Sequence, residues 1–268
     1  MKARDRHSRI LAALAREGRV SVTELARDHD VTVETIRRDL AVLDRAGALR
    51  KIHGGALPAP VLAAPETGVL QRERDHAEAK ARIARAALAA LDPHEGAALL
   101  IDSGTTTGAF ARLLPEHLDL TVLTNSVLIA AALAARPGCR VHIIGGQVRG
   151  LTQAAVGPEA LAQLASLRTD IAVMGSNGLT AQHGLSTPDP DEAAVKRAMV
   201  ASARRVAALV DASKIGQEHL VSFAGTDDVD LLVTDATITG HLAARLTNTS
   251  RTLRKLHRLR KKRRHMRQ

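Results

Sequence analysis

Apolar residues recur at helical spacing three times within the first fifty positions. Ile10, Leu11 and Leu14 mark a first segment that Gly18 ends. Ser21-Val22-Thr23-Glu24 opens a second. The Ser21 hydroxyl can accept from the backbone N–H of Glu24, whose side chain can reach back, and Val22, Leu25 and Ala26 form an apolar face. Asp28-His29-Asp30 reads as a turn. Thr32 is placed to cap a third helix over about 33–45, with Ile36, Leu40 and Leu43 inward and Gly47 as its stop. Two helices joined by a tight polar turn, the second presenting Arg and Thr, predict a helix-turn-helix. Residues 48–56 continue as a short basic strand ending in Gly54-Gly55, the pattern of a wing that turns against a DNA backbone.

Beyond this the pattern changes. Pro58, Pro60 and Pro65 stand among alanines, with Glu66 the sole charge between 57 and 69, which predicts a semi-extended connector. A helix over about 73–91 stops before Pro93. From 97 onward, apolar runs at 97–101, 120–124, 140–144, 171–174, 206–210 and 231–234 read as buried strands. Helical segments near 106–114, 127–135, 159–164 and 192–204 fall between them. Such alternation predicts a mostly parallel sheet covered on both faces, with ligands at the carboxyl ends of its strands. The expected fold class is an N-terminal all-α winged helix-turn-helix domain followed by a C-terminal α/β domain. The expected division is 1–57 for the DNA-binding domain, 58–71 for the linker, 72–246 for the α/β domain and 247–268 for a basic, disordered tail.

Charge qualifies the DNA reading. The net charge of +10 is unevenly spread. Residues 1–57 hold 12 Lys and Arg against 8 Asp and Glu, residues 58–250 hold 16 against 20, and residues 251–268 hold 10 against none. The excess therefore describes the tail, and DNA binding has to rest on the N-terminal pattern. With no Trp or Tyr and two Phe, recognition by stacking bases on aromatic rings is nearly excluded. Cys139 is the one cysteine, so an internal disulfide and a thiolate metal site are both excluded, and a reducing, cytoplasmic setting is expected. No apolar run approaches the ~20 residues of a membrane span.

The strand ends carry the candidate chemistry. Asp102-Ser103-Gly104-Thr105-Thr106-Thr107 follows the first predicted strand of the second domain and opens a helix. Such a turn lets backbone N–H groups and hydroxyls approach an anion, although a Gly/Ser/Thr turn can equally serve to cap its helix. Thr124-Asn125-Ser126 and Gly145-Gly146 end the next two strands. Asp211-Ala212-Ser213-Lys214 ends another, where Lys214 offers a full positive charge, although a lone lysine there is usually a solvated surface residue, and Asp211 can accept from a sugar hydroxyl or orient the lysine.

Thr35-Ile36-Arg37-Arg38-Asp39-Leu40, then Leu43, Gly47 and Arg50-Lys51-Ile52-His53-Gly54-Gly55-Ala56, resemble the signature of the DeoR family of transcriptional regulators. That resemblance implies a third helix in the major groove of a double-stranded DNA operator. Thr32, Glu34, Thr35 and Arg38 then fall at bases or nearby phosphates, and Arg37, Arg50 and Lys51 at phosphates, with His53 in the same wing. Glu34 can accept from a cytosine amino group or support the helix N-terminus through the dipole. Asp39 reads as a structural partner for an arginine, because it would repel phosphate.

The α/β portion is similar to the same family's effector domain, itself similar to phosphosugar isomerases of the ribose-5-phosphate isomerase type. Gly175-Ser176-Asn177-Gly178-Leu179, Gly184-Leu185-Ser186-Thr187, Glu192-Ala193 and Asp211-Ala212-Ser213-Lys214 carry this likeness. It implies a phosphorylated sugar effector held by Asp102, Ser103, Gly104, Thr105, Thr106, Thr107, Thr124, Asn125, Ser126, Gly145, Gly146 and Lys214, with Glu192 and Lys196 near by, although an ion pair at i, i+4 on a helix surface gives the same spacing. No cofactor or metal is implied, and no catalytic residue. Asn177 stands where the isomerases place an acid, and an amide cannot abstract the proton that an aldose–ketose conversion moves. A second departure is the C-terminus, where no closing apolar strand follows 241–246.

The reading is therefore a ligand-controlled regulator of sugar metabolism genes, as repressor in the family's commoner manner. Two alternatives stand beside it: an isomerase-like enzyme fused to a DNA-binding domain, and an architectural DNA-binding protein. Two operator half-sites imply a homo-oligomer, dimer or tetramer.

Overall fold

A computed structural model of the chain describes residues 3–17, 19–45, 48–52, 54–58, 66–238 and 242–243. They fall into two units, Met1–Pro65 and Glu66–Gln268.

In the first unit, helices α1 (Ala3–Glu17), α2 (Val22–Asp28) and α3 (Val33–Arg45) surround a core of Ile10, Leu14, Leu25, Ile36, Leu40 and Leu43. Ile10, Ile36 and Leu40 are wholly buried, each contributing about 1.5–3 kcal/mol. The Ser21 hydroxyl accepts from Glu24 N (3.5 Å), and Thr32 Oγ1 from Thr35 N (3.2 Å), so both expected caps form. Asp39 on α3 is buried against α1, where Arg6 grips it through Nε (2.5 Å) and Nη2 (3.1 Å) and His7 adds a third bond (2.8 Å). The guanidinium and imidazole outweigh the burial that opposes ionisation, and hold the Asp39 carboxyl below the ordinary range.

The wing has more structure than one basic strand. β1 (Val20–Ser21), β2 (Leu49–Ile52) and β3 (Gly55–Pro58) form an antiparallel sheet in the order β1-β3-β2. Ile52 pairs with Gly55 across a two-residue turn, where Gly54 takes φ +79°. A Cβ on Gly55 would collide with the Val20 carbonyl, so only glycine lets β1 approach β3. Leu57 and Pro58 consequently belong to this sheet and not to the connector. The expected stops at Gly18 and Gly47 lie outside the described residues.

The second unit opens with α4 (Val69–Arg74) and α5 (Ala77–Leu91), followed by β4 (Ala98–Ile101), α6 (Thr105–Ala111), β5 (Leu120–Thr124), α7 (Val127–Leu133) and β6 (Cys139–Ile143). A hairpin of β7 (Gln147–Arg149) and β8 (Ala154–Val156) leads to α8 (Pro158–Ala165) and β9 (Thr169–Gly175). Then come β10 (Gly178–Thr180), β11 (Gly184–Thr187), α9 (Pro190–Ser202), β12 (Ala203–Leu209), β13 (Val221–Ala224) and β14 (Leu231–Val233). The six predicted strands are β4, β5, β6, β9, β12 and β14. They form one sheet in the order β14-β12-β9-β4-β5-β6, with every neighbouring pair parallel.

Successive residues of each strand serve opposite faces. Leu99, Ile101, Ile171 and Val173 pack with Ile83 and Ala87 of α5 and Phe110 of α6. Leu100, Ala172 and Met174 pack with Leu164 of α8 and Val195 and Met199 of α9.

Three features depart from expectation. The helix expected over 73–91 is two helices, broken where His76 takes φ +55°. Lys80 explains the break: its ammonium turns back onto the carbonyls of Arg72 and Asp75, satisfying the free end of α4. The hairpin β7–β8 was not foreseen, nor was the antiparallel sheet β10-β11-β13. The tail at 247–268 lies outside the described residues. Among the described residues no helix is long and apolar enough to cross a membrane, and no side-chain cluster could hold a metal.

Candidate functional site

Counting only the six sheet strands in chain order, the sheet reads 3-2-1-4-5-6. The chain winds outward from β4 through β5 to β6, returns to β9 beside β4, and winds outward the other way. The strand order thus reverses between β4 and β9, and the carboxyl ends of strands at such a point splay their following turns apart. A cleft with about 760 Å³ of free space, part of it open solvent, lies there. Ser103 to Thr106 enter it after β4, Ser176 and Asn177 after β9, and Asp211, Ser213 and Lys214 after β12. Arg72 of α4, His76 between α4 and α5, and Lys80 of α5 complete one wall, and Glu192 and Lys196 of α9 complete another.

Asp102 and Lys196 form the base of the cleft. The Lys196 ammonium donates to Asp102 Oδ2 and to the Gly175 carbonyl (3.3 Å), and lies 5.3 Å from the centre of the Phe223 ring. Asp102 Oδ2 also accepts from Gly175 N (3.0 Å). Asp102 has no solvent-accessible surface; its Oδ2 ties β4, β9 and α9 together, while its Oδ1 is buried with no hydrogen-bond partner among the described residues. Glu192, one helical turn before Lys196, accepts from Arg149 Nη1 (2.5 Å) and Thr152 Oγ1 (2.5 Å). Burial opposes its ionisation, but Lys196, Thr152 and Arg149 together hold the carboxyl below the ordinary range.

Two cations of the cleft lack such partners. Lys214 and Arg72 make no ion pair among the described residues, and Arg72 Nε and Nη2 are buried without an acceptor. Lys80 lies close enough to both that, after burial, their charges help push its ammonium below the usual lysine range against the pull of Asp211 and Asp75. The hydroxyls of Ser103, Thr105 and Thr106 make no side-chain hydrogen bond among the described residues. Among the described residues the cleft therefore presents positive charge and donors without protein acceptors, and for the buried Arg72 nitrogens that costs stability.

Of the expected effector residues, Ser103, Gly104, Thr105, Thr106 and Lys214 share the cleft, with Asp102 beneath it. The others do not line it. Thr107 Oγ1 donates to the Asp102 carbonyl (2.6 Å) and accepts from Gly104 N (2.8 Å), which shapes the turn from inside. Thr124 Oγ1 accepts from Ser126 N (3.1 Å), Ser126 Oγ caps α7 through Ile129 N (3.2 Å), and Asn125 Nδ2 donates to the Ala155 carbonyl (3.1 Å). Gly145 N donates to Gln163 Oε1 (3.1 Å), and Gly146 at φ +141° packs against Val156. These turns end β5 and β6, one and two strands beyond the reversal. Arg72, His76 and Lys80 were missed, because nothing in the sequence brings α4 and the start of α5 to the strand ends. Asn177 lines the cleft, its amide oxygen accepting from Thr187 Oγ1 (3.2 Å).

In the first unit, the outward face of α3 carries Glu34, Arg37 and Arg38, all exposed. Glu34 lies between the two arginines, at 3.8 Å from Arg37 and 3.7 Å from Arg38. Thr32 is exposed and Thr35 half-buried at the helix start. Lys51 is exposed on β2, with its backbone N–H on Asp44 Oδ1 (3.0 Å). The Arg50 side chain and His53 lie outside what is described.

Residues 6–59 match the DeoR-like helix-turn-helix domain, and residues 75–236 match the DeoR C-terminal sensor domain. The chain belongs to the DeoR family. As a DeoR-family protein it is a DNA-binding regulator of transcription. A relative in Haloferax volcanii, the HTH-type transcriptional regulator GlpR, is 35% identical over 234 residues, covering 87% of this chain and 90% of its own. The glycerol-3-phosphate regulon repressor of Escherichia coli K12 is 32% identical over 237 residues, covering 88% of this chain and 92% of its own. Among solved structures, ribose 5-phosphate isomerase A of Methanocaldococcus jannaschii aligns with 53% of this DeoR chain and 55% of its own at 17% identity. Its TM-score of 0.38 makes this likeness too remote to bear on function.

Proposed function

We propose that the cleft of the sensor domain binds a phosphorylated sugar or polyol, and that its occupancy sets the affinity of the first unit for an operator. The observation that carries this is the pair Arg72 and Lys214, without an ion-pair partner among the described residues, sharing one cleft with the hydroxyls of Ser103, Thr105 and Thr106. A phosphate dianion matches that set in charge and in acceptor number, while Asp211 and Asn177 offer acceptors for the hydroxyls of the carbon chain. A repressor named for a glycerol-3-phosphate regulon stands among the relatives, which agrees with a phosphorylated ligand.

The same cleft favours sensing over conversion. Asn177 is an amide, Asp102 is closed off beneath Lys196, and Glu192 is committed to Arg149 and Thr152. Of the cleft carboxylates, Asp211 follows β12 and has its Oδ1 held by Ser213 N (3.0 Å) and Oγ (2.5 Å), while Asn177, where the isomerases place their acid, cannot move a proton between adjacent carbons.

Calorimetric titration with glycerol 3-phosphate, fructose 1-phosphate and glucose 6-phosphate, each beside its unphosphorylated parent, tests the reading. Each charge-assisted hydrogen bond contributes on the order of 1.5–3 kcal/mol, so losing two of them weakens binding about a hundredfold or more. Equal affinity for phosphorylated and free forms would overturn the phosphate site. An isomer in the recovered ligand would overturn the sensing role. The DNA contacts are proposed for Thr32, Glu34, Thr35 and Arg38 at bases and for Arg37, Arg50, Lys51 and His53 at the backbone.

A further inference from the structure

Glu192 faces two ways. Toward the cleft it lies one helical turn ahead of Lys196. Away from the cleft it meets Arg149, at the end of β7 (2.5 Å). Arg149 does not stop there: its Nη2 also reaches Glu66 Oε2 (3.0 Å) and Asp189 Oδ2 (3.1 Å). Glu66 is the first described residue of the second unit and lies in the last part of the predicted connector. Arg149 is its one side-chain partner among the described residues, and its Oε1 is buried with none. Three residues on, Val69 N is bonded to the Leu151 carbonyl (2.8 Å) in the β7–β8 turn. The side chains of Glu192 and Glu66 are 5% and 10% exposed, so solvent screens these pairs weakly.

We propose that Arg149 couples the cleft to the segment leaving the connector, by sharing one guanidinium between Glu192 and Glu66. This rests on the cleft being an effector site. Three carboxylates compete for Arg149, and the other cation acting on Glu192 is Lys196. An anion that engages Lys196 lowers the pull of that ammonium on Glu192. Glu192 then takes a larger share of Arg149, and Glu66 a smaller one. The hold on residues 66–69 slackens, and these are the residues through which the connector enters the sensor domain. Arg149 and Glu66 are positioning residues in this scheme, since neither lines the cleft.

Hydrogen exchange on the full chain tests the coupling without a ligand. Lys196→Met removes the cation beside Glu192 and speeds exchange of the Val69 amide about tenfold. In an Arg149→Lys background, where one ammonium cannot span the carboxylates, the same change adds less than about twofold, by the same coupling logic. If Lys196→Met does not fold, Asp102→Asn with Lys196→Met removes both buried charges and serves in its place. Glycerol 3-phosphate, fructose 1-phosphate and glucose 6-phosphate form the ligand arm. Whichever binds speeds Val69 exchange in the unmodified chain but not in Arg149→Lys, at unchanged ligand affinity. Equal acceleration by Lys196→Met in both backgrounds overturns the coupling. Non-additive exchange with no sugar phosphate bound upholds the coupling and overturns only the effector reading.

Discussion

Lys196 and Asp102, 94 residues apart in the chain, meet as a buried ion pair beneath the cleft, and no surface of Asp102 reaches solvent. Breaking such a pair from one side leaves an uncompensated buried charge. Lys196→Met therefore lowers the unfolding free energy of the sensor domain by about 3–5 kcal/mol in urea denaturation. Asp102→Asn combined with Lys196→Met restores a large part of that loss. A double variant as unstable as the two single losses added together would show that the residues act independently.

Lys214 behaves in the opposite sense. It brings a charge with no ion-pair partner among the described residues close to Lys80, whose ammonium is already pushed down by burial. Lys214→Met raises the stability of the ligand-free protein by about 0.5–1 kcal/mol, as relief of a strained functional site does. It also abolishes thermal stabilisation by sugar phosphates. Thermal melts with and without fructose 1-phosphate measure both effects, and a destabilised ligand-free variant would refute the assignment.

Acid sensitivity follows from Asp39 and Glu192. Both carboxyls sit below their ordinary range in the folded chain. Their stabilising contribution is therefore complete above the unfolded values of about 3.9 and 4.3, and is lost as pH falls through the lowered folded values. Asp39→Asn removes the first unit's share and flattens the decline below about pH 4. Unfolding midpoints followed from pH 6 to pH 3 check this. An unchanged slope in Asp39→Asn would place the acid-sensitive groups elsewhere.

On the DNA side, Arg38→Ala costs about 1–3 kcal/mol of operator affinity and flattens base preference. Lys51→Ala weakens all sequences alike and reduces the salt slope by about one unit. Titrations at several salt concentrations, on the selected operator and on random DNA, separate the two. Wild-type behaviour in both variants would remove α3 and the wing from the interface.

The parallel sheet was legible because each of its strands is an apolar run between helical segments, as in Leu99-Leu100-Ile101 and Ile171-Ala172-Val173-Met174. The caps at Ser21 and Thr32 were legible for a similar reason: a side-chain acceptor three residues ahead of a backbone donor is a local fact. Strand order is not local. The turns at Thr124–Ser126 and Gly145–Gly146 resemble the one at Ser103–Thr106 in composition, yet their strands lie beyond the reversal and their polar groups go to internal caps. Lys196 and Glu192 look like an exposed i, i+4 pair until α9 is laid against β9 and β4. The short antiparallel strands at 147–149 and 178–180 were too brief to show a period. The break at His76 carries no proline or glycine, and depends on a lysine four residues later turning back.

Operator affinity with and without a sugar phosphate, in the full chain and in Lys214→Ala, tests most directly whether the cleft governs DNA binding. The operator is the DNA that the purified protein selects, and the ligand is whichever of glycerol 3-phosphate, fructose 1-phosphate and glucose 6-phosphate binds. A sugar phosphate should shift the operator dissociation constant by about 5–150-fold in the unmodified chain and leave Lys214→Ala unmoved, at equal ligand-free affinity. An equal shift in both proteins, or none in either, would contradict it.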